Sequence, residues 1–269
     1  MRSERNQVFG RAPVALILPA VAAVVLLVVP PLAIAVRAPW SSLPEHLTSP
    51  AALTALRLTL ETTLATTAIC LFVGVPLAWI LARVTFVGRR LLRALVTLPL
   101  VLPPVVGGVA LLLAFGSNGV LGRYLDQAFG ITLPFTTAGV VVAQTFVALP
   151  FLVISCEGAF RASDARYDDA AATLGASRWV TFRRVTVPLA LPGIVSGAVL
   201  CWARALGEFG ATITFNGSFP GTTRTMPSFI YYQLQTDLDS AIALSLLMIV
   251  VSVAILVLLR ERWLHGITP

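Results

Sequence analysis

Lysine is absent from this chain of 269 residues, and all nineteen basic side chains are arginine. A phosphate-gripping loop of the form G-x-x-x-x-G-K-[ST] needs that lysine to reach the nucleotide, so the chain is not expected to hydrolyse ATP itself. Histidine is almost missing: His46 and His265 have neither metal-ligand spacing nor a carboxylate at a useful offset. Cys70, Cys156 and Cys201 are odd in number and lie in apolar runs, which argues against a disulfide framework and a zinc site and for buried thiols. Charge is scarce, with 12% of residues charged against 57% hydrophobic. Mean hydropathy is +0.89. A soluble domain has about twice that share of charge.

Long apolar runs take the place of what is missing. At about 20 residues per crossing plus loops, the length suits five to seven helical spans in a single domain over residues 1–269, with no room for a second soluble domain. The runs predict six spans: Val14 to Val36, Leu58 to Ala82, Ala94 to Phe115, Thr136 to Ile154, Pro188 to Leu206, and Ile242 to Leu259. The first begins like a secretory signal, with Arg2, Arg5 and Arg11 ahead of it and Ala33-Ile34-Ala35 resembling a cleavage site. Its length and the many later spans favour an uncleaved anchor. About ten residues follow the last span, which predicts no folded cytoplasmic regulatory domain.

With the N-terminus inside, fourteen arginines fall on the cytoplasmic side: Arg2, Arg5, Arg11, Arg83, Arg89, Arg90, Arg93, Arg161, Arg166, Arg178, Arg183, Arg184, Arg260 and Arg262. Five, Arg37, Arg57, Arg123, Arg204 and Arg224, fall on the other. The positive-inside rule therefore predicts both termini in the cytoplasm. This use of the charge, and the lack of a basic stripe interleaved with aromatics, argue against nucleic acid as a partner.

The third run, "LPLVLPPVVGGVA", carries Pro99, Pro103, Pro104, Gly107 and Gly108. Each proline removes a backbone hydrogen bond, tolerable in lipid only where protein or a water-filled cavity replaces it. The span either faces protein or a pathway, or is a kinked helix packed through small residues. No inverted repeat relates the two halves, which weakens a secondary-carrier reading. Glu61, Glu157 and the Arg204/Glu208 pair are expected near span ends, where long side chains reach water. Arg204 and Glu208, at i and i+4, suit a structural ion pair.

The longest cytoplasmic loop holds "SDARYDDAAATLGASRWVTFRRVTVPLALPG", Ser163 to Gly193. Tyr167, Ala170, Ala171 and Leu174 fall on one face of a short helix, with Arg166, Asp169 and Thr173 opposite. Ser163 is the expected N-cap, Asp164 suits the positive end of the dipole, and Gly175 is the expected left-handed stop. A second helix is expected from Ser177 toward the membrane, with Trp179 and Phe182 one turn apart and Arg178, Arg183 and Arg184 at the headgroup level. Alanines on an apolar face permit close approach, as in a helix that enters a groove of another protein; a helix resting on lipid prefers bulkier residues.

These residues resemble the signature of the binding-protein-dependent ABC importer permeases, E-A-A, three residues, G, nine residues, I-x-L-P. Here Asp169-Ala170-Ala171 opens it, Gly175 stands at the required offset, and Val185-Thr186-Val187-Pro188 closes it, with Asp for Glu and Val for Ile and Leu. The resemblance spans about residues 58–259. It implies an all-α polytopic membrane protein of six transmembrane helices, a type I ABC importer transmembrane domain whose segment 163–188 forms coupling helices. Tyr167, Asp168, Asp169, Ala170, Ala171, Leu174, Gly175 and Pro188 are the implied contacts to the ATPase.

The stretch "ALGEFGATITFNGSFPGTTRTMPSFIYYQLQ", Ala205 to Gln235, resembles the molybdate/tungstate permeases, with sulfate/thiosulfate permeases as close relatives. The resemblance implies import of molybdate or tungstate, a second permease subunit in a homodimer, two ATP-binding cassette subunits carrying ATP and Mg, and an extracytoplasmic molybdate-binding protein. No cofactor is implied on this chain, and the setting is a bacterial or archaeal cytoplasmic membrane. Hydroxyls, amides and guanidinium forks can hold an oxyanion, and Thr212, Thr214, Asn216, Thr223, Arg224 and Thr225 offer such donors. Glu208, Phe209, Thr212, Thr214, Asn216 and Arg224 are the candidates for pathway or gate. Alternatives are a sulfate/thiosulfate importer, and, in other classes, an ion-coupled carrier or an intramembrane enzyme. The enzyme would need paired acids, a Ser/His set or metal ligands, which the sequence does not supply.

Overall fold

The computed structural model describes residues 14–164 and 166–264, so Arg2, Arg5, Arg11 and His265 lie outside the described residues. Thirteen α-helices follow one another there: α1 (Val14–Arg37), α2 (Leu43–Thr48), α3 (Pro50–Arg83), α4 (Arg89–Val101), α5 (Pro104–Phe115), α6 (Gly122–Phe129), α7 (Thr137–Ala162), α8 (Arg166–Thr173), α9 (Arg178–Thr181), α10 (Val187–Leu206), α11 (Gly210–Asn216), α12 (Met226–Thr236) and α13 (Leu238–Leu264). A π-helical turn, Phe182–Thr186, joins α9 to α10 without a break.

Five unbroken helices are long and apolar enough to cross a membrane: α1, α3, α7, the α9–α10 run and α13. The third expected span is not one helix. It divides into α4 and α5, bent by 119° at Leu102 and Pro103, and makes a sixth crossing only as a broken pair. Pro103 and Pro104 are the physical cause, because two successive residues without N–H donors stop the ladder of α4 and restart it in α5. α3 also begins earlier than expected; its 34 residues reach about 51 Å at 1.5 Å each, well beyond a hydrocarbon core of about 30 Å.

The centre is a three-helix packing of α3, α7 and α10 around Cys70, Leu81, Leu152, Phe160, Ile194 and Cys201. Small residues set its spacing. A Cβ at Gly193 would collide with the Cβ of Ala159, and one at Gly197 would lie 2.9 Å from the Cβ of Ser155. Gly193 and Gly197, four apart on α10, thus meet Ser155 and Ala159, four apart on α7. Helices in lipid gain nothing from burying apolar surface against each other, so close backbone approach and dispersion supply the attraction.

Polar groups inside the bundle are matched mostly by threonine. Thr59, Thr62, Thr63 and Thr66 are all buried along one side of α3. Thr63 Oγ1 accepts from Trp202 Nε1 at 3.0 Å, and Thr59 Oγ1 from the N–H of Met226 at 2.7 Å. The hydroxyl of Thr66 lies 3.1 Å from Gln144 Oε1. Two smaller apolar clusters complete the fold. Ala52, Ala55, Met226, Phe229 and Leu244 tie the start of α3 to α12 and α13, and Leu111, Ala143, Val147, Ala211 and Phe215 tie α5 to α7 and α11.

Candidate functional site

The segment 163–188 folds as a helix, a left-handed turn and a second helix. Gly175 has φ +80°, a conformation any residue with a Cβ resists. Its N–H bonds Ala172 O at 3.0 Å while the N–H of Ala176 bonds Ala171 O at 3.0 Å. This paired closure is a Schellman stop, and it satisfies two carbonyls that the end of α8 would otherwise leave bare. Ser177 then caps α9, its Oγ accepting from the N–H of Val180 at 3.4 Å. The expected N-cap at Ser163 is not observed: Ser163 closes α7, its hydroxyl donating to Phe160 O at 3.0 Å. Asp164 takes the capping place, its carboxylate accepting from the N–H of Arg166 at 2.9 Å.

The apolar side of this hook points away from the rest of the chain. Tyr167 is 56% exposed, Leu174 88% and Trp179 67%. Ala170 is exposed beside them and Ala171 is half-buried. Phe182, at the start of the π turn, is the inward anchor, stacked on Trp179 at 5.7 Å and edge-on to Trp79 of α3 at 5.5 Å. Pro188 stands in the first turn of α10, directly after the π turn, and has no N–H to return to the carbonyls of that turn.

Charges hold the hook from behind. Glu157 is buried near the end of α7 and pairs with Arg93 at 2.6 Å and Arg161 at 2.7 Å. Arg83 Nη2 donates to Ser163 O at 2.9 Å and Ser163 Oγ at 2.7 Å, and lies 3.6 Å from Asp168 Oδ2. Arg89 Nε donates to Leu81 O at 2.9 Å, closing the end of α3. Glu157 is therefore a fixed counter-charge between two helices, where the sequence suggested a side chain reaching for water.

The second candidate region begins where α10 ends. Arg204 Nη2 pairs with Glu208 Oε2 at 2.6 Å, as the i, i+4 spacing anticipates. Glu208 is only 1% exposed, and its other oxygen accepts from the N–H of Ala211 at 2.8 Å. One carboxylate thus neutralises an arginine and caps α11, favoured by the positive end of that helix. Phe209 rests on Tyr231 with ring centres 5.0 Å apart. α11 crosses α5 at very short range: a Cβ at Gly108 would lie 2.7 Å from Thr214 Cβ, and one at Gly210 2.7 Å from Pro104 Cβ. Gly107 and Gly108 of the third run therefore face protein, whereas Pro103 and Pro104 are exposed.

The pathway candidates do not gather in one place. Thr212 and Asn216 are fully buried in α11, and the hydroxyl of Thr212 and both amide atoms of Asn216 have no hydrogen-bond partner among the described residues. Thr214 donates to Gly210 O at 2.8 Å. Thr223 is used internally, accepting from the N–H of Phe219 at 2.9 Å, and Thr225 lies 3.3 Å from Ser228 Oγ. Arg224 belongs to a separate surface cup of about 230 Å³ lined by Pro50, Thr54, Pro220 and Gly221. Its guanidinium sits 4.7 Å above Tyr232 and donates to Ser218 Oγ and O at 3.2 Å each.

A family profile described as the binding-protein-dependent transport system inner membrane component matches residues 74–265. The chain belongs to that family. It is 55% identical over 242 residues, 90% of each chain, to the molybdenum transport system permease protein ModB of Mycobacterium tuberculosis. It is 45% identical over 195 residues, 72% of this chain and 85% of the other, to the same-named protein of Escherichia coli K12. The crystal structure of a bacterial ABC transporter that imports the acidic polysaccharide alginate shares the fold at a TM-score of 0.76 and 19% identity, over 95% of both chains. The architecture is thus the transmembrane domain of a type I ABC importer, in a multi-pass integral membrane protein.

Within this family fold, sequence reading found the hook and missed what holds it. Arg83, Arg93, Glu157, Arg161, Ser163 and Thr186 come from four separate parts of the chain. The available signal was an arginine at the end of each span facing one loop rich in aspartate. The Gly193/Gly197 contact was likewise legible as a G-x-x-x-G spacing inside an apolar run.

Proposed function

We propose that this chain is the membrane-spanning permease subunit of an ATP-driven importer that moves molybdate or tungstate across the cytoplasmic membrane by alternating access. The observation that carries the reading is the 55% identity over 90% of the chain to the M. tuberculosis molybdenum permease. Two copies form the translocation unit, two ATP-binding cassette subunits bind ATP and Mg, and an extracytoplasmic molybdate-binding protein delivers the anion. Residues 1–269 form one transmembrane domain with both termini in the cytoplasm, in line with the arginine distribution.

The exposed patch of Tyr167, Ala170, Leu174 and Trp179, with Asp169 and Gly175 beside it, docks into the ATPase. When ATP draws the two cassettes together the hooks move with them, and the difference in contact energy between the two states shifts the permease from inward-open to outward-open. The α5–α11 crossing serves as gate or pathway wall. Thr212 and Asn216, buried without partners, make its closed form costly. Opening returns those groups to water or to the hydrated oxyanion. Glu208 and Phe209 hold α11 in place, Thr214 lines its contact with α5, and Arg224 draws the anion at the outer surface.

Reconstitution with the ATPase and the binding protein tests this. Labelled molybdate should enter vesicles only with ATP, and excess sulfate should not displace it. Preferential sulfate uptake would move the substrate to the sulfate/thiosulfate class. Uptake without nucleotide would overturn the importer and favour an ion-coupled carrier.

A further inference from the structure

Asp168 differs from the rest of the hook in where it turns. Its neighbours Tyr167 and Asp169 are exposed, whereas Asp168 is half-buried against the chain's own spans. Its Oδ1 accepts from Thr186 Oγ1 at 2.9 Å, and its Oδ2 lies 3.6 Å from Arg83 Nη2. Thr186 is 2% exposed and is the last residue of the π turn that feeds α10. Arg83 is the last residue of α3, and the same nitrogen holds the end of α7 through Ser163. One carboxylate therefore fastens α8 to the end of α3 and to the α9–α10 run, and through Arg83 to the end of α7.

The location matters for how force would travel. Loops join α8 to α7 and α9, so without a second attachment α8 could tilt while the spans stayed still. A charge-assisted bond is short and directional, and it removes that freedom. The π turn adds a second element, since such segments are wider and looser than the α-helix around them and recur at functional sites. A pull on Thr186 acts at the least regular part of the α9–α10 run.

We propose that Asp168 is a positioning residue, a clasp that makes the coupling helix rigid with α3 and α10 so that its displacement reaches the membrane spans. The inference rests on the ATPase-docking reading of the hook. It separates the two adjacent acids: Asp169 faces the partner, and Asp168 faces the chain's own spans.

The test uses the full permease assembled with its ATPase and binding protein in proteoliposomes, reading ATPase copurified, ATP hydrolysed and molybdate moved per ATP. Asp168→Ala and Thr186→Val should retain the ATPase and continue hydrolysis, while molybdate per ATP falls about tenfold, the factor one charged hydrogen bond commands. Thr186→Ser keeps the hydroxyl and should transport like wild type. Asp169→Asn should instead lower the amount of ATPase retained. Unchanged molybdate per ATP in both Asp168→Ala and Thr186→Val overturns the clasp, as does loss of the ATPase from Asp168→Ala alone. Wild-type permease that retains no ATPase overturns the docking reading, and the clasp with it. If Asp168→Ala accumulates poorly, the nearly isosteric Thr186→Val decides.

Discussion

Ser155 of α7 donates a hydrogen bond to the carbonyl of Gly193 on α10 at 3.0 Å, and Gly193 itself lies against Ala159 one turn further along α7. The contact joins two helices in which serine, alanine and two glycines replace the large side chains of a soluble core. It places the α9–α10 run, and with it the second half of the hook, firmly on α7.

Gly193→Leu should lower the thermal midpoint of the detergent-solubilised protein, since overpacking a close contact costs about 1–3 kcal/mol. Gly158→Ala on the same α7 helix is the comparison, because an added Cβ there meets none of the described residues within 4 Å. Equal melting of Gly193→Leu and wild type would show that the two helices are not held by this approach.

Gly175 is open on its outer side, with none of the described residues within 4 Å of an added Cβ, yet its φ is +80°. A valine there meets no clash with the chain and still forfeits about 1–2 kcal/mol for entering the left-handed region. Gly175→Val should therefore straighten or fray the hook and reduce copurified ATPase, while Gly175→Asn, which tolerates that region, should retain most of it. Equal retention by both variants would remove the turn from the docking surface.

Thr212 buries a hydroxyl with no partner among the described residues, a defect worth about 1–3 kcal/mol. Thr212→Val removes the unpaired group at nearly constant volume. The variant should melt higher than wild type and transport more slowly, because the closed gate gains what the open state loses. Faster uptake with unchanged melting would place Thr212 outside the gate.

Much of this protein could be read from residue order alone, because the bilayer imposes a local rule: a span must be long and apolar. The hook was legible for a similar reason. Helix face, left-handed glycine and second cap all lie within a few residues of one another, and Gly175 adopts the conformation its type suggests. The break at Leu102 and Pro103 was half-visible, since prolines forecast a disturbance but not its 119° angle. What only the tertiary structure decided is which polar groups meet. Asp168 and Asp169 were both implied contacts to the ATPase, and Thr212, Thr223 and Arg224 were equivalent oxyanion donors. Packing turned one aspartate inward to Arg83 and Thr186, used Thr223 inside its loop, set Arg224 in a surface cup and sealed Thr212 without a partner. Hydrogen bonds and ion pairs act over about 3 Å between residues as many as 167 positions apart, and their pairing is settled only when the helices cross.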